Sequence, residues 1–368
     1  MKKSLLALAV LAASGAAMAQ SSVTLYGVAD AGVTYVNGDK NWSGVTSGNN
    51  LTSRIGFRGV EDLGGGLKAN FRLEAGLNLD NGDGNSGYST SNAANGLAFK
   101  RQSTVGLEGG FGEVRLGREL TAAYNATARY DVFGSVGLGQ SRLWVNGNIA
   151  DDNVTPYAAA QTTNQRVSNA VTYVSPNFSG FKAAVNYGFG EVAGANSDRQ
   201  YLGAGVTYDN GPLSLGLGLE RLNKDTATAT NSGKISVWSL GGSYDLGVAK
   251  ILAGYRDSKA ERLTGDDKTK GYMLAVTAPV GPGLVRASFN RYEYTPAGAA
   301  KLKADQFAVG YVYGLSKRTS VYGTYAYLNN KDYNGNNAVI PSLVGVGSGT
   351  LKDSGKQQGF QVGVSHSF

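Results

Sequence analysis

The stretch from Leu67 to Asp80, LKANFRLEAGLNLD, alternates between two kinds of side chain. Apolar or small residues stand at every odd position, while Lys68, Arg72 and Glu74 are among the residues between them. A period of two residues predicts a β-strand with one apolar face and one charged face. Because a dry protein core does not tolerate unpaired charges, the charged face is expected to meet water while the other face meets oil.

The same alternation returns along most of the chain. It is clearest over residues 181–189, 213–220, 238–246, 307–315 and 360–368. About sixteen such segments can be counted, and each is near the 9–11 residues that a tilted strand needs to cross a membrane. The sequence therefore predicts an all-β protein whose strands span a bilayer.

The predicted connections between the strands fall into two length classes. Short connections, rich in Gly, Asn or Pro, lie at 63–66, 109–112, 175–180, 209–212, 245–248, 279–283 and 315–318. Long polar connections lie at 37–51, 80–97, 119–165, 191–198, 223–233, 259–269, 296–303 and 329–356. Short turns at one end and long loops at the other are typical of a transmembrane barrel, whereas a soluble sandwich has no reason to separate them.

An all-strand chain in lipid has to close on itself, because every backbone N–H and C=O group needs a partner within the protein. About sixteen strands enclose an aqueous lumen, whereas eight would be filled by their own side chains. We therefore predict a transmembrane antiparallel β-barrel of about 16 strands. Its lumen, lined by Lys, Arg, Glu, Asn and Ser, would be a water-filled pore.

The predicted connection 119–165 is by far the longest. Loops longer than about 12–15 residues usually have a function or are disordered. Its apolar content favours a packed loop that folds into the barrel and narrows it; the residues concerned are Tyr124, Tyr130, Phe133, Leu143 and Trp144. A surface loop that faces a partner or lipopolysaccharide is the alternative interpretation.

The N-terminus predicts export. Residues 1–19 combine a basic start, a short apolar run and an Ala-Met-Ala end, as in a secretory signal peptide. A membrane-anchor helix is the alternative, but the apolar run is shorter than the ~20 residues that a spanning helix needs. Residues 20–368 would then form a single transmembrane barrel domain.

Composition excludes several other classes of protein. The formal charge of +7 includes Lys2 and Lys3, so the mature chain carries +5 and is only mildly basic. No Lys/Arg-rich cluster with interleaved aromatic residues indicates a nucleic-acid partner. Because Cys is absent, neither disulfides nor thiolate metal sites can hold the fold.

Seven short motifs are distributed along the mature chain. They are TLYGVAD at 24–30, SRIGFRG at 53–59, EDLGGGLK at 61–68, VRLGR at 114–118, DVFG at 131–134, YVSPNFSGF at 173–181 and the terminal Ser367-Phe368. Together they resemble the Gram-negative bacterial porin family, and most closely its trimeric general-diffusion members with anion preference.

The resemblance implies short periplasmic turns, long extracellular loops and an inward-folded third loop at 119–165. It also implies a homotrimer in the cell outer membrane of a Gram-negative bacterium, with Phe368 as the C-terminal assembly signal. The partners would be outer-membrane lipid and lipopolysaccharide, periplasmic chaperones and the barrel-assembly machinery. Gly27 and Gly32 in the first strand are interpreted as allowing close packing of subunits.

For the narrowest part of the pore, the resemblance assigns a basic ladder to Arg54, Arg101 and Arg166, faced by acids at Glu74 and Asp131. Independently of the resemblance, alternation with apolar neighbours turns Arg54, Glu74 and Arg166 toward the lumen. Enteric members of the family have Pro-Glu-Phe-Gly at the tip of the third loop. This chain has Asp-Val-Phe-Gly, which leaves the exact position of the loop acid open.

Two further arginines, Arg58 and Arg72, lie on the lumen face by alternation, and Arg58 is predicted to join the basic ladder. Arg101 is an exception, because it has the same parity as the apolar Phe99. Alternation alone turns Lys100 inward and Arg101 outward. The resemblance turns Arg101 inward, and an irregularity in the strand would reconcile the two predictions.

These features predict a porin, a water-filled channel for the passive diffusion of small hydrophilic solutes and inorganic ions, with weak anion preference from its basic side chains. A substrate-specific channel is the first alternative, and an adhesin or structural barrel is the second. An enzyme is disfavoured, because His366 is the single His and lies on the apolar face of the last strand. No catalytic residue, cofactor or metal site is predicted, since acid pairs such as Asp266-Asp267 are more often solvated than bound to calcium.

Overall fold

The computed structural model describes most of the chain. The described residues are 22–85, 96–144, 162–163, 165–191, 193–194, 197–223, 233–262, 265–333, 338–343, 351–352 and 354–368. The signal peptide predicted over residues 1–19 lies outside them, as do residues 145–161 and 164 of the predicted third loop.

Alternating sequence forms nineteen strands within these residues. They are β1 (Ser22–Asn37), β2 (Trp42–Ser47), β3 (Arg54–Gly64), β4 (Leu67–Leu77), β5 (Gly84–Asn85), β6 (Gln102–Gly109), β7 (Gly112–Leu120), β8 (Thr162–Thr163), β9 (Arg166–Val174), β10 (Phe181–Gly188), β11 (Tyr201–Asn210), β12 (Leu213–Asn223), β13 (Lys234–Asp245), β14 (Lys250–Arg262), β15 (Gly265–Val280), β16 (Gly283–Thr295), β17 (Leu302–Gly314), β18 (Thr319–Asn330) and β19 (Lys356–Ser367).

Sixteen of these strands form one closed antiparallel ring within the described residues, and the predicted fold class is therefore confirmed. The other three, β2, β5 and β8, are short pieces of long connections that pair with β1, β4 and β9. Closure comes from β19, which pairs with β18 along one edge and with β1 along the other. No edge strand of the ring is left unpaired, as a barrel in lipid requires.

Connection lengths agree with the predicted segregation at all seven short turns. The prediction of a long connection over 259–269 was wrong. The strands β14 and β15 pair as far as Arg262 and Gly265, so only two residues separate them. The polar sequence that indicated a loop belongs instead to a hairpin that continues past the apolar band, where both faces of a strand can be polar.

The two faces of the ring have opposite chemistry. Large apolar side chains are exposed on the outside, for example Leu217, Leu240 and Phe307. Side chains of the opposite parity face the lumen and are mostly polar or small. Several of them, such as Gln306 and Gln361, are fully buried, because the third loop lies against them.

The largest hydrophobic cluster lies inside the barrel. The third loop contributes a helix, α1 (Ala122–Thr127), and two 3₁₀ turns at Ala128–Tyr130 and Arg142–Trp144. The Oγ1 atom of Thr121 accepts a hydrogen bond from the Tyr124 N–H and so caps α1. Among the described residues, no helix is long and apolar enough to cross a membrane.

Candidate pore constriction

The third loop contacts the inner wall from β10 to β19. At its start the Ala122 N–H donates to the Oδ1 atom of Asn186 on β10. Farther along, the Oγ atom of Ser141 donates to Asn290 on β16 over 2.7 Å, and the Nε2 atom of Gln306 on β17 donates to the Leu138 carbonyl over 3.1 Å. The loop therefore narrows the lumen, as its apolar content predicts.

Asp131 organises the tip of this loop. Its carboxylate accepts hydrogen bonds from the backbone N–H groups of Phe133, Ser135 and Ser141 at 2.8–2.9 Å, and the side chain is buried. Burial raises the pKa of the Asp131 carboxyl to about 6, although the three N–H donors oppose this shift. The loop backbone thus surrounds the carboxylate, and the role of Asp131 as a lumenal acid of the constriction stays a prediction.

Arg286 on β16 holds the same loop tip to the wall. Its guanidinium lies over the ring of Phe133, with 4.5 Å between the Cζ atom and the ring centroid. One of its amino groups donates to the Val132 carbonyl over 3.3 Å. Arg286 was not among the predicted site residues, although it has the parity of the inward residues of β16.

The facing wall gathers two guanidinium groups on one carboxylate. The Oε1 atom of Glu74 lies 2.7 Å from Arg101 Nε, and its Oε2 atom lies 3.6 Å from Arg54 Nε. The hydroxyl of Tyr26 donates to Oε2 over 2.9 Å. Gly56 lies between Tyr26 and Glu74 in the strand register and leaves room for this contact, since a β-carbon there would approach the Tyr26 ring to 2.7 Å.

The side chain of Arg101 lies on the same side of the wall as Glu74, in agreement with the resemblance. Arg101 precedes β6, and its backbone N–H donates to the Glu74 carbonyl over 3.1 Å. On β6 itself the period holds, since Val105 is exposed on the outside and Thr104 is buried on the inside. Alternation gave the opposite direction for Arg101 because this residue lies just outside the regular strand.

Two more arginines adjoin this cluster. The Nε atom of Arg166, at the start of β9, donates to the Arg101 carbonyl over 2.8 Å, and only 3% of the Arg166 side chain is exposed. Arg118 on β7 donates to the Lys100 carbonyl and to the Ser168 hydroxyl, at 2.7 and 2.6 Å. Arg118 was not among the predicted site residues, and it lies at a register shift between Gly117 and Glu119.

Arg58 and Arg72 lie farther toward the short-turn end. They are directly opposite each other on β3 and β4, and both side chains are exposed. Arg58 lies over the Tyr26 ring at 5.3 Å, and Arg72 donates to the Gln102 side chain over 3.3 Å. The wall that faces the loop is therefore rich in guanidinium groups, and Glu74 is the carboxylate that lies between Arg54 and Arg101.

The sequence profile described as Gram-negative porin matches residues 5–333. The chain belongs to this family. It is 45% identical to outer membrane porin protein 32 of Delftia acidovorans, over the full length of both chains. It is also 33% identical to an outer membrane porin protein of Bordetella pertussis, over 90% of this chain and 95% of that one.

Solved structures agree with this assignment. The anion-selective porin from Comamonas acidovorans superposes with a TM-score of 0.78 and 39% identity, over 95% of this chain and 100% of the other. OmpT of Vibrio cholerae, at 18% identity and a TM-score of 0.67, covers 95% of this chain and 99% of its own and supports the fold alone. This porin is an outer-membrane channel, and the predicted family, channel function and location are confirmed.

Proposed function

We propose that this porin conducts small hydrophilic solutes and ions with a preference for anions, and that Arg54, Arg101 and Arg166 create the preference at the constriction. The observation that carries the proposal is the gathering of Arg54 and Arg101 on the single carboxylate of Glu74, with Arg166 bonded to the Arg101 backbone. Three cations against one anion leave a positive excess where the third loop narrows the lumen. In a narrow channel with low-dielectric walls, such an excess favours chloride over potassium.

Glu74 has a structural part in this proposal. Without a carboxylate between them, Arg54 and Arg101 would repel each other and turn away from the cluster. Asp131 acts differently, through the shape of the loop tip that its carboxylate caps. Arg58 extends the positive wall toward the short-turn end.

The reversal potential of the purified porin in a KCl gradient across a planar bilayer tests the proposal. Wild type is expected to show anion preference, and R54Q/R101Q is expected to lower the chloride-to-potassium permeability ratio at least about threefold. K317Q, in the exposed short turn after β17, removes a cation far from the constriction and should leave the ratio unchanged. Cation preference of the wild type would contradict the proposal.

The lipid-facing surface supports the predicted contact with outer-membrane lipid. On β14 to β17 the outward aromatic residues lie at neighbouring positions of the register; they are Tyr255, Tyr272, Phe289 and Phe307. Two residues farther toward the long loops, each strand presents a charge; these are Asp257, Lys270, Arg291 and Asp305. An aromatic row followed by charges is typical of a membrane interface, so we assign this arc to lipid and to the phosphorylated headgroups of lipopolysaccharide.

The opposite arc fits the predicted homotrimer, and a solved trimeric form of Vibrio cholerae OmpT is among the fold neighbours. Toward the long-loop end, the outward positions of β1 and β4 carry apolar or uncharged side chains such as Val33, Tyr35 and Leu77. The interpretation of Gly32 as a subunit contact was wrong, because Gly32 faces the Tyr322 hydroxyl inside the barrel, whereas Gly27 lies beneath the exposed Phe368 ring and its role in subunit packing stays a prediction. Native mass spectrometry of the detergent-solubilised protein tests the trimer.

A further inference from the structure

A cavity of about 310 Å³ opens on the lumen wall below the constriction cluster. It lies between β3, β4, β6 and β7 and the start of the third loop, and its lining includes Arg58, Arg72, Arg115, Glu113 and Glu119. Because β3 runs from the long-loop end to the short turn at 63–66, Arg58 lies four residues below Arg54 on the same face. The cavity is therefore on the short-turn side of the constriction.

The charges in this cavity are unevenly distributed. Arg115 is neutralised, since its guanidinium contacts Glu119 over 2.7 Å and Glu113 on its other side. Arg58 and Arg72, in contrast, have no ion pair within the part of the chain that the structure describes. One end of the cavity thus carries one arginine and two glutamates and has a net negative charge, while the other end carries two uncompensated positive charges.

The strand register brings these two charges together. Arg58 and Arg72 are direct cross-strand partners on the lumen face. Cross-strand partners hold their β-carbons about 5 Å apart, and like charges in this position destabilise a sheet. An anion between them would remove the repulsion, and each guanidinium fork can form two parallel hydrogen bonds to an oxyanion. Gln102, Thr104 and Asn125 line the same cavity with neutral polar groups.

We propose that Arg58 and Arg72 form a binding site for a compact, doubly charged oxyanion of the hydrogen phosphate type. The inference rests on the proposed anion conduction, because the site lies on the same path through the lumen. A compact dianion fits better than an extended one. The second carboxylate of a dicarboxylate would have to extend along the cavity toward Glu113 and Glu119, where like charges repel it.

Titration of inorganic phosphate against the single-channel chloride current tests the site. Phosphate is added to both compartments of a planar bilayer in symmetric KCl, at an alkaline pH where it is mostly the dianion. The wild-type current is expected to fall saturably with phosphate concentration. R58Q/R72Q should weaken the apparent phosphate affinity at least about tenfold, because two charge-assisted forks are lost. R58K/R72K, which keeps the charges without the forks, should lie between the two.

K68Q/K182Q is the matched control. Lys68 on β4 and Lys182 on β10 have the lumen-facing parity but do not line the cavity. This variant removes the same number of positive charges from the lumen and should change the phosphate affinity less than about twofold. Each variant is first checked for heat-modifiable migration on gels, and R72Q alone replaces the double variant if the latter does not form a barrel.

The outcomes separate this site from the proposed selectivity of the constriction. A wild-type current that falls without saturation, an R58Q/R72Q variant with wild-type phosphate affinity, or equally strong inhibition by succinate would overturn the site. R54Q should reduce the chloride-to-potassium permeability ratio while phosphate inhibition persists. If the wild type prefers anions and phosphate does not saturate, only the Arg58–Arg72 site fails; cation preference contradicts the proposed function itself.

Discussion

At the scale of single residues, two buried or half-buried carboxylates have different roles. One holds the charged groups of the constriction together, and the other sets the shape of the third loop. Glu74 contacts Arg54 and Arg101 and keeps their guanidinium groups together on the wall. Asp131 accepts three backbone N–H groups and keeps the loop tip folded. A carboxylate that satisfies several backbone donors stabilises a loop far more than an exposed ion pair does.

The Asp131 carboxyl makes barrel stability depend on pH. Its pKa is raised to about 6 by burial, whereas an Asp in an unfolded chain titrates near pH 4, at about 3.9. Between these values the folded protein binds more protons than the unfolded chain, so this contribution to stability decreases as the pH rises from about 4 to about 6. D131N cannot ionise and is expected to remove this dependence, which amounts to roughly 3 kcal/mol.

Urea unfolding in detergent micelles at pH values from 4 to 7 measures this effect. The matched control is D39N, since Asp39 is an exposed carboxylate in the first long connection. D39N should follow the wild-type pH dependence. An unchanged slope in D131N would show that the Asp131 carboxyl titrates alike in the folded and unfolded protein.

Alternation predicted the direction of the constriction residues only where the strand is regular. Arg54 and Glu74 lie within β3 and β4, so their side chains follow the two-residue period. Arg101 lies before the first paired residue of β6, outside the regular part of that strand. The two-residue period applies only within a regular strand. For a residue beyond it, the sequence alone does not indicate whether the side chain points into the lumen or toward the lipid.

At the scale of elements, the third loop and the wall fit each other at inward-facing glycines. A β-carbon at Gly241 on β13 would lie 2.2 Å from the Tyr130 ring, and one at Gly254 on β14 would lie 2.4 Å from the Trp144 ring. The backbone of α1 makes similar contacts with β11 and β12, at Gly205 and Gly216. Consecutive strands therefore leave a shallow groove in which the loop lies flat against the wall.

The pair Gly254 and Trp144 allows this fit to be tested. G254V should push the loop into the lumen and reduce the single-channel conductance, with a stability loss of about 1–3 kcal/mol from overpacking. Adding W144A removes the ring that the new side chain contacts, so the double variant should recover conductance relative to G254V alone. Planar-bilayer recordings measure the conductance, and urea unfolding measures the stability.

The control for this experiment is G323A on β18. A β-carbon at Gly323 would lie 3.8 Å from Val362, which is an ordinary contact. G323A should therefore keep wild-type conductance. If W144A fails to restore any conductance to G254V, the loss does not arise from contact between the wall and the loop.

The existence of a packed third loop was predictable from its aromatic residues, but its path was not. Gly241 and Gly254 occupy polar-face positions, where small residues also occur on any wet surface. The wrong prediction of a loop at 259–269 has a related cause. Charged residues such as Lys259 and Lys268 pair across a regular hairpin there, and composition cannot distinguish a polar strand above the membrane from a loop.

At the scale of the whole molecule, the barrel closes where its two ends meet. Gly27 on β1 and the terminal Phe368 exchange both backbone hydrogen bonds, at 3.0 and 3.1 Å. The Phe368 ring also covers Gly27, since a β-carbon there would lie 2.3 Å from the ring. The sequence predicted Phe368 as an assembly signal but gave no indication that Gly27 receives its ring, because the two residues lie at opposite ends of the chain.

This contact distinguishes two roles of Phe368. If the ring stabilises the seam itself, then F368A should slow refolding of the purified urea-denatured porin into lipid vesicles, where no assembly machinery is present. G27V should slow it further, because valine cannot fit beneath the ring, and G27V/F368A should refold faster than G27V since the clash is gone. Heat-modifiable migration on gels, followed over time, measures the closed fraction. If F368A refolds at the wild-type rate in vesicles yet assembles poorly in cells, Phe368 acts only through recognition by the machinery, and the covered Gly27 has no part in closure.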